Sequence, residues 1–282
     1  MKFQPVIKWS GSKRSQSEDI VKRFPKEIDT YYEPFVGGAS VLFQLLHSDV
    51  RVKNYICSDI NEDLINLWNI IKDDPDTLCS KYEEMWNELN NKPNVDLKRE
   101  YYNNIRDEYN KTRDPQLFLF LSRTCVNGLI RYNSKNEFNT SFHFSRKGIE
   151  PNRLKSIVMQ WSNILNEKGV KFVHQSYDVI EPQENDFMYL DPPYINTKGM
   201  YFGNIDYVAL WEFLRNVKSG YVMSFDGITG DIDNTYNVPE DIYTSHEYLY
   251  SGISGFNKIH NQSKYVKESL YIKYNTNTNK LL

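Results

Sequence analysis

The chain has 282 residues, of which 40% are hydrophobic and 15% aromatic, so it is globular and long enough to bury a large core. No segment approaches the roughly 18 apolar residues that span a bilayer, and the N-terminus lacks the apolar region of a signal peptide. Cys57, Cys79 and Cys125 are scattered without a CxxC pair or a nearby histidine pair, which argues against a disulfide framework and a zinc site. We therefore expect a cytoplasmic protein that binds no metal.

The net charge of −3 conceals a strong segregation of charge along the chain. Residues 1–26 hold seven Lys and Arg against two acids, residues 121–155 again hold seven against two, and residues 253–274 hold four against one. A nucleic-acid backbone responds to a local basic face rather than to the total charge. The sequence leaves open whether these segments meet in space or form separate solvated surfaces.

The first motif in chain order is a Gly/Ser turn between basic residues, Lys8 to Arg14, which precedes a helix-like segment. Taken alone, such a segment is typical of a mobile basic N-terminus. Its functional interpretation depends on the motifs that follow.

A short strand ending at Tyr32 leads into the glycine loop EPFVGGAS (33–40), and apolar residues at helical spacing follow. This order is typical of a nucleotide-type cofactor site. Glu33 would repel a pyrophosphate, but its carboxylate could hold the ammonium of an amino-acid-like cofactor. The strand at residues 52–57 leads to Asp59, about twenty residues after the glycines, where an acid typically binds a ribose diol. The pattern favours S-adenosylmethionine over NAD, while Asp59 alone could instead be a helix cap.

Residues 62–122 carry apolar side chains at helical spacing without strand-like alternation, which predicts a helical insertion. A β-hairpin is expected next, with strands at residues 129–132 and 137–142 around a turn at residues 133–136. A two-stranded ribbon fits the major groove of DNA, so polar side chains on this hairpin are candidates to read base edges. The alternative is an exposed hairpin whose arginine pairs with a neighbouring acid.

The rest of the chain alternates strands with a helix at residues 207–217, which predicts a mostly parallel sheet. The expected strands are residues 170–175, 187–190, 221–225, 247–251 and 268–274. The second of these runs directly into Asp191-Pro192-Pro193-Tyr194, at the strand end where open α/β sheets place their chemistry. A carboxylate, a proline carbonyl and an aromatic face together suit a planar base with an exocyclic amine. A strand followed by a proline-rich turn is the alternative for this motif alone.

Together these motifs resemble the Dam-like family of DNA adenine-N6 methyltransferases. The matching pieces, in chain order, are KWSGSK (8–13), EPFVGG (33–38), SDIN (58–61), CVNGLIRYNSKNEFN (125–139) and YLDPPY (189–194). The resemblance implies methyl transfer from S-adenosylmethionine to N6 of an adenine flipped out of double-stranded DNA. It also implies a Rossmann-like α/β sheet with an antiparallel C-terminal edge strand, formed by residues 1–61 and 150–282. Residues 62–149 would form a helical target-recognition domain that carries the hairpin.

The resemblance assigns roles to individual residues. Asp191 and the Pro192 carbonyl are expected to accept the two amine hydrogens of the adenine while Tyr194 stacks on its ring, which makes these three residues catalytic. The cofactor site is expected to comprise Trp9, Lys13, Glu33, Phe35, Gly37, Asp59, Ser176, Tyr177 and Asp191. DNA contacts are expected from Lys8, Asn127, Leu129, Arg131 and Lys135.

The chain departs from the family pattern at three places. Ser12 replaces a second glycine, Thr140-Ser141 replaces Val-Pro, and the loop after Tyr194 is shorter than in GATC methylases. A target beginning with GA is favoured only by Arg131 and its neighbours. Competing functions are methylation of an RNA adenine or a protein glutamine, and a DNA-binding module with a vestigial cofactor fold. A restriction endonuclease acting on the same site is a candidate partner.

Overall fold

A mixed sheet of eight strands organises the chain in the computed structural model, which describes residues 4–194, 205–229, 231–233, 235, 238–253 and 265–275. The strands are β1 (Glu27–Glu33), β2 (Arg51–Asp59), β3 (Lys171–His174), β4 (Phe187–Leu190), β5 (Gly220–Thr229), β6 (Ile232–Asp233), β7 (Ser245–Ile253) and β8 (Tyr265–Lys273). Their spatial order is β3-β2-β1-β4-β5-β8-β7, and β6 pairs with β5. The first five strands in this order are parallel, which confirms the predicted Rossmann-like sheet.

The direction of strand addition reverses between β1 and β4, and this reversal positions the site. The chain proceeds from β1 to β2 and β3 on one side, and from β4 to β5 on the other. The connections that follow β1 and β4 therefore diverge and leave a crevice at the carboxyl ends of the strands, the usual ligand position in open α/β sheets. Glu33 ends β1 and Asp191 follows β4, so both acids flank this crevice.

The C-terminal strands are antiparallel to their neighbours, as expected. β8 pairs in this way with both β5 and β7, so the last described strand lies inside the sheet and β7 forms the edge. The loop after Tyr194 and most of the predicted connection between the last two strands fall at residues 195–204 and 254–264, outside the described residues.

Helices cover both faces of the sheet. They are α1 (Ser17–Val21), α2 (Ser40–Leu46), α3 (Glu62–Asp73), α4 (Pro75–Asn91), α5 (Val95–Thr112), α6 (Pro115–Thr124), α7 (Pro151–Glu167) and α8 (Tyr207–Asn216). None of the helices in the described part of the chain is both long and apolar enough to cross a membrane.

Strand β4 is buried on both faces, and its side chains alternate between two apolar cores. Phe187 and Tyr189 belong to a large core shared with α2, α3 and α7, whereas Met188 and Leu190 belong to a smaller core shared with α8. Burial on both faces explains why β4 is a continuous apolar run in the sequence.

The helical insertion predicted at residues 62–122 is present as the four helices α3 to α6. Asp74, Asn94 and Asp114 cap α4, α5 and α6 by accepting hydrogen bonds from backbone N–H groups of the first turn. The large core includes residues of the sheet and of all four helices, and the division into a catalytic and a target-recognition domain stays a prediction.

Helix α7 has no counterpart among the predicted elements, although the sequence carries its signals. Glu150 accepts hydrogen bonds from the N–H groups of Asn152 and Arg153, and Pro151 occupies the first turn. Its buried face consists of Leu154, Ile157, Val158, Trp161 and Leu165. Helix α7 packs against α3 and α4 of the helical insertion and leads directly into β3 of the sheet.

The predicted hairpin has the expected path but no regular ladder. The strands expected at residues 129–132 and 137–142 are replaced by two isolated antiparallel bridges, one between Cys125 and Phe142 and one between Tyr132 and Phe138. We call residues 125–142 the hairpin segment.

A side chain of α5 takes the place of part of the missing ladder. The amide of Asn110 accepts a hydrogen bond from the N–H of Phe138 (2.7 Å) and donates one to its carbonyl (3.1 Å). The predicted turn is present, since the N–H of Asn136 donates to the carbonyl of Asn133 (2.9 Å). Regular pairing fails because the helix satisfies backbone groups that a facing strand would otherwise bond.

Candidate active site

A cavity of about 310 Å³ opens at the carboxyl ends of β1, β2 and β4. It brings together all the residues predicted for the cofactor and for catalysis, although they come from five separate parts of the chain. The predicted residues that line it are Trp9, Lys13, Glu33, Phe35, Gly37, Asp59, Ser176, Tyr177, Asp191, Pro192 and Tyr194.

The glycine loop is locked between the N-terminal motif and β2. Gly37 has a φ of +46°, and a Cβ atom there would lie 2.6 Å from Nε1 of Trp9, so only glycine fits. The carbonyl of Gly37 accepts a hydrogen bond from Nε1 of Trp68 (3.0 Å), and its N–H donates to Oδ2 of Asp59 (3.2 Å). These contacts fix the backbone that forms one wall of the cavity.

Asp59 orders the turn that follows β2. Its Oδ1 accepts a hydrogen bond from the N–H of Asn61 (3.0 Å), in addition to the bond from Gly37. Desolvation raises the pKa of Asp59 to about 6, against the opposing effect of these backbone N–H groups. The cap of α3 is Asn61, whose Oδ1 accepts from the N–H of Leu64 (3.1 Å), so the helix-cap interpretation of Asp59 is wrong.

Glu33 is the most deeply buried acid of the cavity, with 2% of its surface exposed. Its Oε2 accepts a hydrogen bond from the hydroxyl of Tyr31 (2.7 Å). Burial raises the pKa of Glu33 to about 8, the Tyr31 bond opposes this rise, and the negative charge of Asp191 adds to it. No cation among the described residues acts on this carboxyl group.

Asp191 forms a buried ion pair with Lys13. Nζ of Lys13 lies 2.8 Å from Oδ1 of Asp191 and 3.6 Å from Oε2 of Glu268, and the lysine side chain is only 4% exposed. Desolvation raises the pKa of Asp191 to about 6, while Lys13 opposes the rise. The lysine thereby favours the ionised carboxylate, which can only accept hydrogen bonds.

The two other predicted catalytic groups follow Asp191 in the same loop. The hydroxyl of Tyr207 donates to the carbonyl of Pro193 (2.8 Å), whereas no donor within the described residues is bonded to the carbonyl of Pro192. The Tyr194 ring contacts the Phe225 ring edge-on at a centroid distance of 5.8 Å. Both an acceptor and an aromatic ring are therefore held next to the carboxylate.

Glu268 of β8 is a residue of this region that was not predicted. Its Oε2 accepts a hydrogen bond from the hydroxyl of Tyr194 (3.4 Å), and the same oxygen faces Lys13. The only sequence signal is an acid within the apolar strand at residues 268–274. Its approach to Tyr194 depends on the position of β8 beside β5, which local sequence does not specify.

The predicted aromatic residues serve the cavity and the core together. Phe35 and Tyr177 lie 5.6 Å apart between ring centroids at 31°, and Tyr177 makes an edge contact with Phe213. Both rings belong to or pack on the smaller core while they line the cavity. The same two rings thus complete the core and line the cavity.

The residues predicted to bind DNA lie in two places. Lys8 and Asn127 border a second hollow of about 300 Å³, where a Cβ atom at Gly128 would lie 2.6 Å from Cδ of Lys8. Arg131 and Lys135 are exposed further along the hairpin segment, and Leu129 is half-buried between the two groups.

Lys8, Arg123 and Arg146 form a basic cluster beside the second hollow. Burial and the charges of Arg146 and Arg123 lower the pKa of Lys8, and burial lowers the pKa of Arg123 to about 10. Arg123 also donates to the carbonyl of Pro5, and no acid of the described chain acts on Lys8 or Arg123. The first two basic segments of the sequence therefore meet, while residues 254–264 of the third fall outside the described part of the chain.

Within the described residues, no group of three or more His, Cys, Asp or Glu side chains is arranged to hold a metal ion. Cys57, Cys79 and Cys125 are buried and free.

Comparison with known proteins identifies relatives of this chain. The family model for the D12 class of N6 adenine-specific DNA methyltransferases matches residues 9–226. The Type II methyltransferase M.MjaIII of Methanocaldococcus jannaschii is 31% identical over 264 residues, which cover 84% of this chain and 86% of that protein. A DNA adenine methylase of Escherichia coli is 34% identical over 200 residues, which cover 68% of this chain and 66% of that protein.

Among solved structures, the rRNA methyltransferase aviRa from Streptomyces viridochromogenes aligns with 95% of this chain and 89% of its own. The identity is 12% and the TM-score is 0.40, too low for any conclusion. The match of the family model over most of the sequence, with the two similar proteins, shows that the chain belongs to the D12 class of N6 adenine-specific DNA methyltransferases.

Proposed function

We propose that the 310 Å³ cavity binds S-adenosylmethionine and that the Asp191-Pro192-Pro193-Tyr194 loop presents N6 of a flipped-out adenine to the methyl group of this cofactor. The observation that carries the proposal is the convergence of Glu33, Asp59 and Asp191, at the ends of three adjacent parallel strands, on one cavity. S-adenosylmethionine supplies the methyl group from a sulfonium cation. The direct test is transfer of a labelled methyl group from this cofactor to DNA, followed by sequencing that reports N6-methyladenine.

The cavity offers complementary groups to each part of the cofactor. Burying a carboxylate without a cation is costly, and no cation of the described chain acts on Glu33, so Glu33 is suited to the ammonium of the methionine moiety. Asp59 is suited to the ribose hydroxyls, and the rings of Phe35 and Tyr177 to the adenine. Trp9, packed against the glycine loop, closes the cavity wall from the N-terminal side.

Transfer to N6 requires a lone pair that the adenine ring otherwise delocalises. With the carboxylate of Asp191 and the Pro192 carbonyl accepting the two amine hydrogens, N6 can become tetrahedral and direct its lone pair at the methyl carbon. Lys13 keeps Asp191 ionised for this role. The proton that N6 releases on forming the new bond has an acceptor in the same carboxylate.

The base itself is held by Tyr194. Flipping an adenine out of the duplex costs a few kcal/mol of stacking, which an aromatic ring at the site partly offsets. The contacts of Tyr194 with Phe225 and Glu268 keep this ring in place.

The surface beside the cavity is suited to duplex DNA. No acid among the described residues acts on Lys8 or Arg123 of the basic cluster, so a phosphate group is a complementary ligand. The hairpin segment presents Asn127, Arg131 and Lys135 as exposed polar side chains. Arginine can bind the two acceptors of guanine, and lysine nearer the turn is suited to phosphate.

The proposed cellular role is supported by one of the relatives and by the cysteines. The similarity to a protein named a Type II methyltransferase supports a partnership with a restriction endonuclease acting on the same site. Three free cysteines are compatible with a reducing compartment, in line with a cytoplasmic location.

Asp191→Ala should slow methyl transfer by about 10²-fold or more, because a preorganised acceptor at the developing charge is lost. Affinity for DNA should be retained, and Asp191→Asn, which keeps an acceptor oxygen but no charge, should be intermediate. Single-turnover rates with saturating cofactor measure this effect. The wild-type rate should also fall as the pH drops through about 6, where the carboxylate becomes protonated. Near-normal turnover of Asp191→Ala would exclude the catalytic role.

Asp59→Ala should weaken binding of S-adenosylmethionine by about 1.5–3 kcal/mol, because charged hydrogen bonds to the ribose are lost. Asp59→Asn is the matched control, since it retains an acceptor for the Gly37 N–H and isolates the contribution of the charge. Calorimetry with the cofactor measures the change, and DNA affinity in the absence of cofactor should stay constant. Equal cofactor affinity in all three proteins would contradict the assignment.

Glu33→Gln should weaken cofactor binding yet stabilise the free protein at alkaline pH. The pKa of Glu33 rises from 4.5 to about 8 on folding, so the folded state holds an extra proton between these values. Stability of the wild type therefore decreases as pH rises across that window, whereas a glutamine has no proton to lose. The Tm of Glu33→Gln relative to wild type should increase from pH 5 to pH 8.5.

The control for this comparison is Glu100→Gln, on the exposed side of α5, which removes a surface charge outside the cavity. A Tm difference for Glu33→Gln that stays constant with pH would mean that the buried carboxyl is not protonated in the folded protein.

If Arg131 binds a guanine, Arg131→Ala should weaken binding to the cognate DNA site by about 1–3 kcal/mol. It should also relax discrimination at one base pair. Lys135→Ala should weaken binding to all DNA sequences alike. It should also reduce the slope of log K against log salt concentration by about one. Competition binding against every single-base variant of the mapped site, at two salt concentrations, separates these effects. A uniform loss from Arg131→Ala would show that it contacts only the backbone.

A further inference from the structure

One carboxylate, Asp63, joins the hairpin segment to the first turn of α3. Its Oδ2 accepts hydrogen bonds from the hydroxyl groups of Tyr109 (2.5 Å) and Tyr132 (2.9 Å) and from Nη1 of Arg113 (3.2 Å). Asp63 is 8% exposed. Tyr132 belongs to the hairpin segment, whereas Tyr109 and Arg113 lie at the end of α5, so a single oxygen atom connects three separate parts of the chain.

The end of α5 holds the hairpin segment at further points. Arg113 donates to the carbonyl of Asn136 in the turn. The Phe138 ring meets the rings of Tyr109 and Tyr132 edge-on, at 6.0 and 6.1 Å between centroids. With Asn110 bonded to the backbone of Phe138, α5 contacts both arms and the turn.

The hairpin segment cannot fix its own position. It has isolated bridges instead of a ladder, and even a regular two-stranded hairpin is only marginally stable in water. Its placement relative to the sheet must come from contacts with the helices. Among those contacts is the largely buried carboxylate of Asp63, which bonds the Tyr132 hydroxyl.

The anchor also adjoins the turn that carries Asp59. The N–H of Asn61 donates to Asp59, and the side chain of Asn61 caps α3. Burial and then the charge of Asp63 raise the pKa of Tyr132. A hydrogen bond between Asn61 and Tyr132 opposes this rise. The hairpin segment and the proposed ribose site are thus attached to the same turn.

We propose that Asp63, through Tyr132 and Arg113, is a positioning residue that fixes the hairpin segment for base recognition without itself contacting DNA. The inference rests on the proposed role of the hairpin segment as the reader of base edges. Tyr132 directly follows Arg131, whose carbonyl accepts the N–H of Asn139 (3.0 Å), so anchoring Tyr132 fixes the backbone of Arg131. A loosened segment could still contact phosphates, but it would not hold the geometry that a bidentate base contact needs.

Tyr132→Phe tests the proposal, because it removes one hydroxyl and leaves the ring in place. The matched control is Tyr82→Phe, whose hydroxyl is bonded to the carbonyl and N–H of Ile149 (both 2.9 Å), outside the hairpin segment. The measured quantity is kcat/KM on the mapped site and on each of its single-base variants. Tyr132→Phe should lower the discrimination ratio by about fivefold or more. Cofactor affinity and kcat on the cognate site should stay close to wild type, and Tyr82→Phe should keep full discrimination.

A second readout does not depend on activity. Amide hydrogen exchange in the free protein should accelerate at Asn136 and Asn139, whose N–H groups bond within the hairpin segment, and should stay constant in α4 and α6. Should Tyr132→Phe fail to fold, Arg113→Lys provides the second variant, since it keeps the charge beside Asp63 but loses the planar fork that also reaches Asn136.

Wild-type discrimination in Tyr132→Phe, or unchanged exchange in the hairpin segment, would overturn the proposal. If the wild-type protein itself transfers no methyl group to DNA, the proposed function fails instead. In that case the exchange measurement still decides whether the Asp63 contacts anchor the segment.

Discussion

The burial of three carboxylates in one crevice is the constraint on which this site depends. Each is compensated differently: Asp191 by the ammonium of Lys13, Asp59 by backbone N–H groups, and Glu33 by the Tyr31 hydroxyl and the backbone of Leu42. The compensation is weakest at Glu33, and its pKa accordingly rises highest, to about 8. A cationic ligand group gains most where a buried carboxylate is least compensated, so these differences support the proposed orientation of the cofactor, with its ammonium at Glu33.

The sheet brings the three acids together although their motifs lie far apart in the sequence. Three adjacent parallel strands end at one edge, and the reversal of strand order between β1 and β4 opens space there. The family resemblance implies that Glu33, Asp59 and Asp191 share one site, and the parallel strands that these acids end or follow explain how they meet. The limits of β4 are also predicted correctly, because burial on both faces leaves a continuous apolar run that ends at a proline-rich loop.

What the sequence does not reveal depends on tertiary placement. Glu268 reaches Tyr194 through the pairing of β8 with β5. Asp63 reaches Tyr132 because the hairpin segment and the end of α5 both lie beside the first turn of α3. Neither acid belongs to a local pattern that specifies its partner. The irregular hairpin has the same origin, because Asn110 of α5 satisfies the backbone of Phe138. Helix α7 is different, since its cap and apolar spacing are local signals that the sequence-based prediction overlooked.

The structure shows what Thr140, a departure from the family pattern, does in the hairpin segment. Its hydroxyl donates to the carbonyl of Leu129 (2.7 Å), and its own carbonyl accepts from the hydroxyl of Tyr102 (2.8 Å). A valine at this position could not donate the first bond, which links the two arms of the hairpin segment directly at a residue predicted to contact DNA. The substitution therefore alters the support of Leu129 while the cavity around Asp191 is built from other parts of the chain. With the roles proposed above, a change of this kind can shift the recognised sequence without altering the cavity, because the bonds of Thr140 involve no residue that lines the cavity.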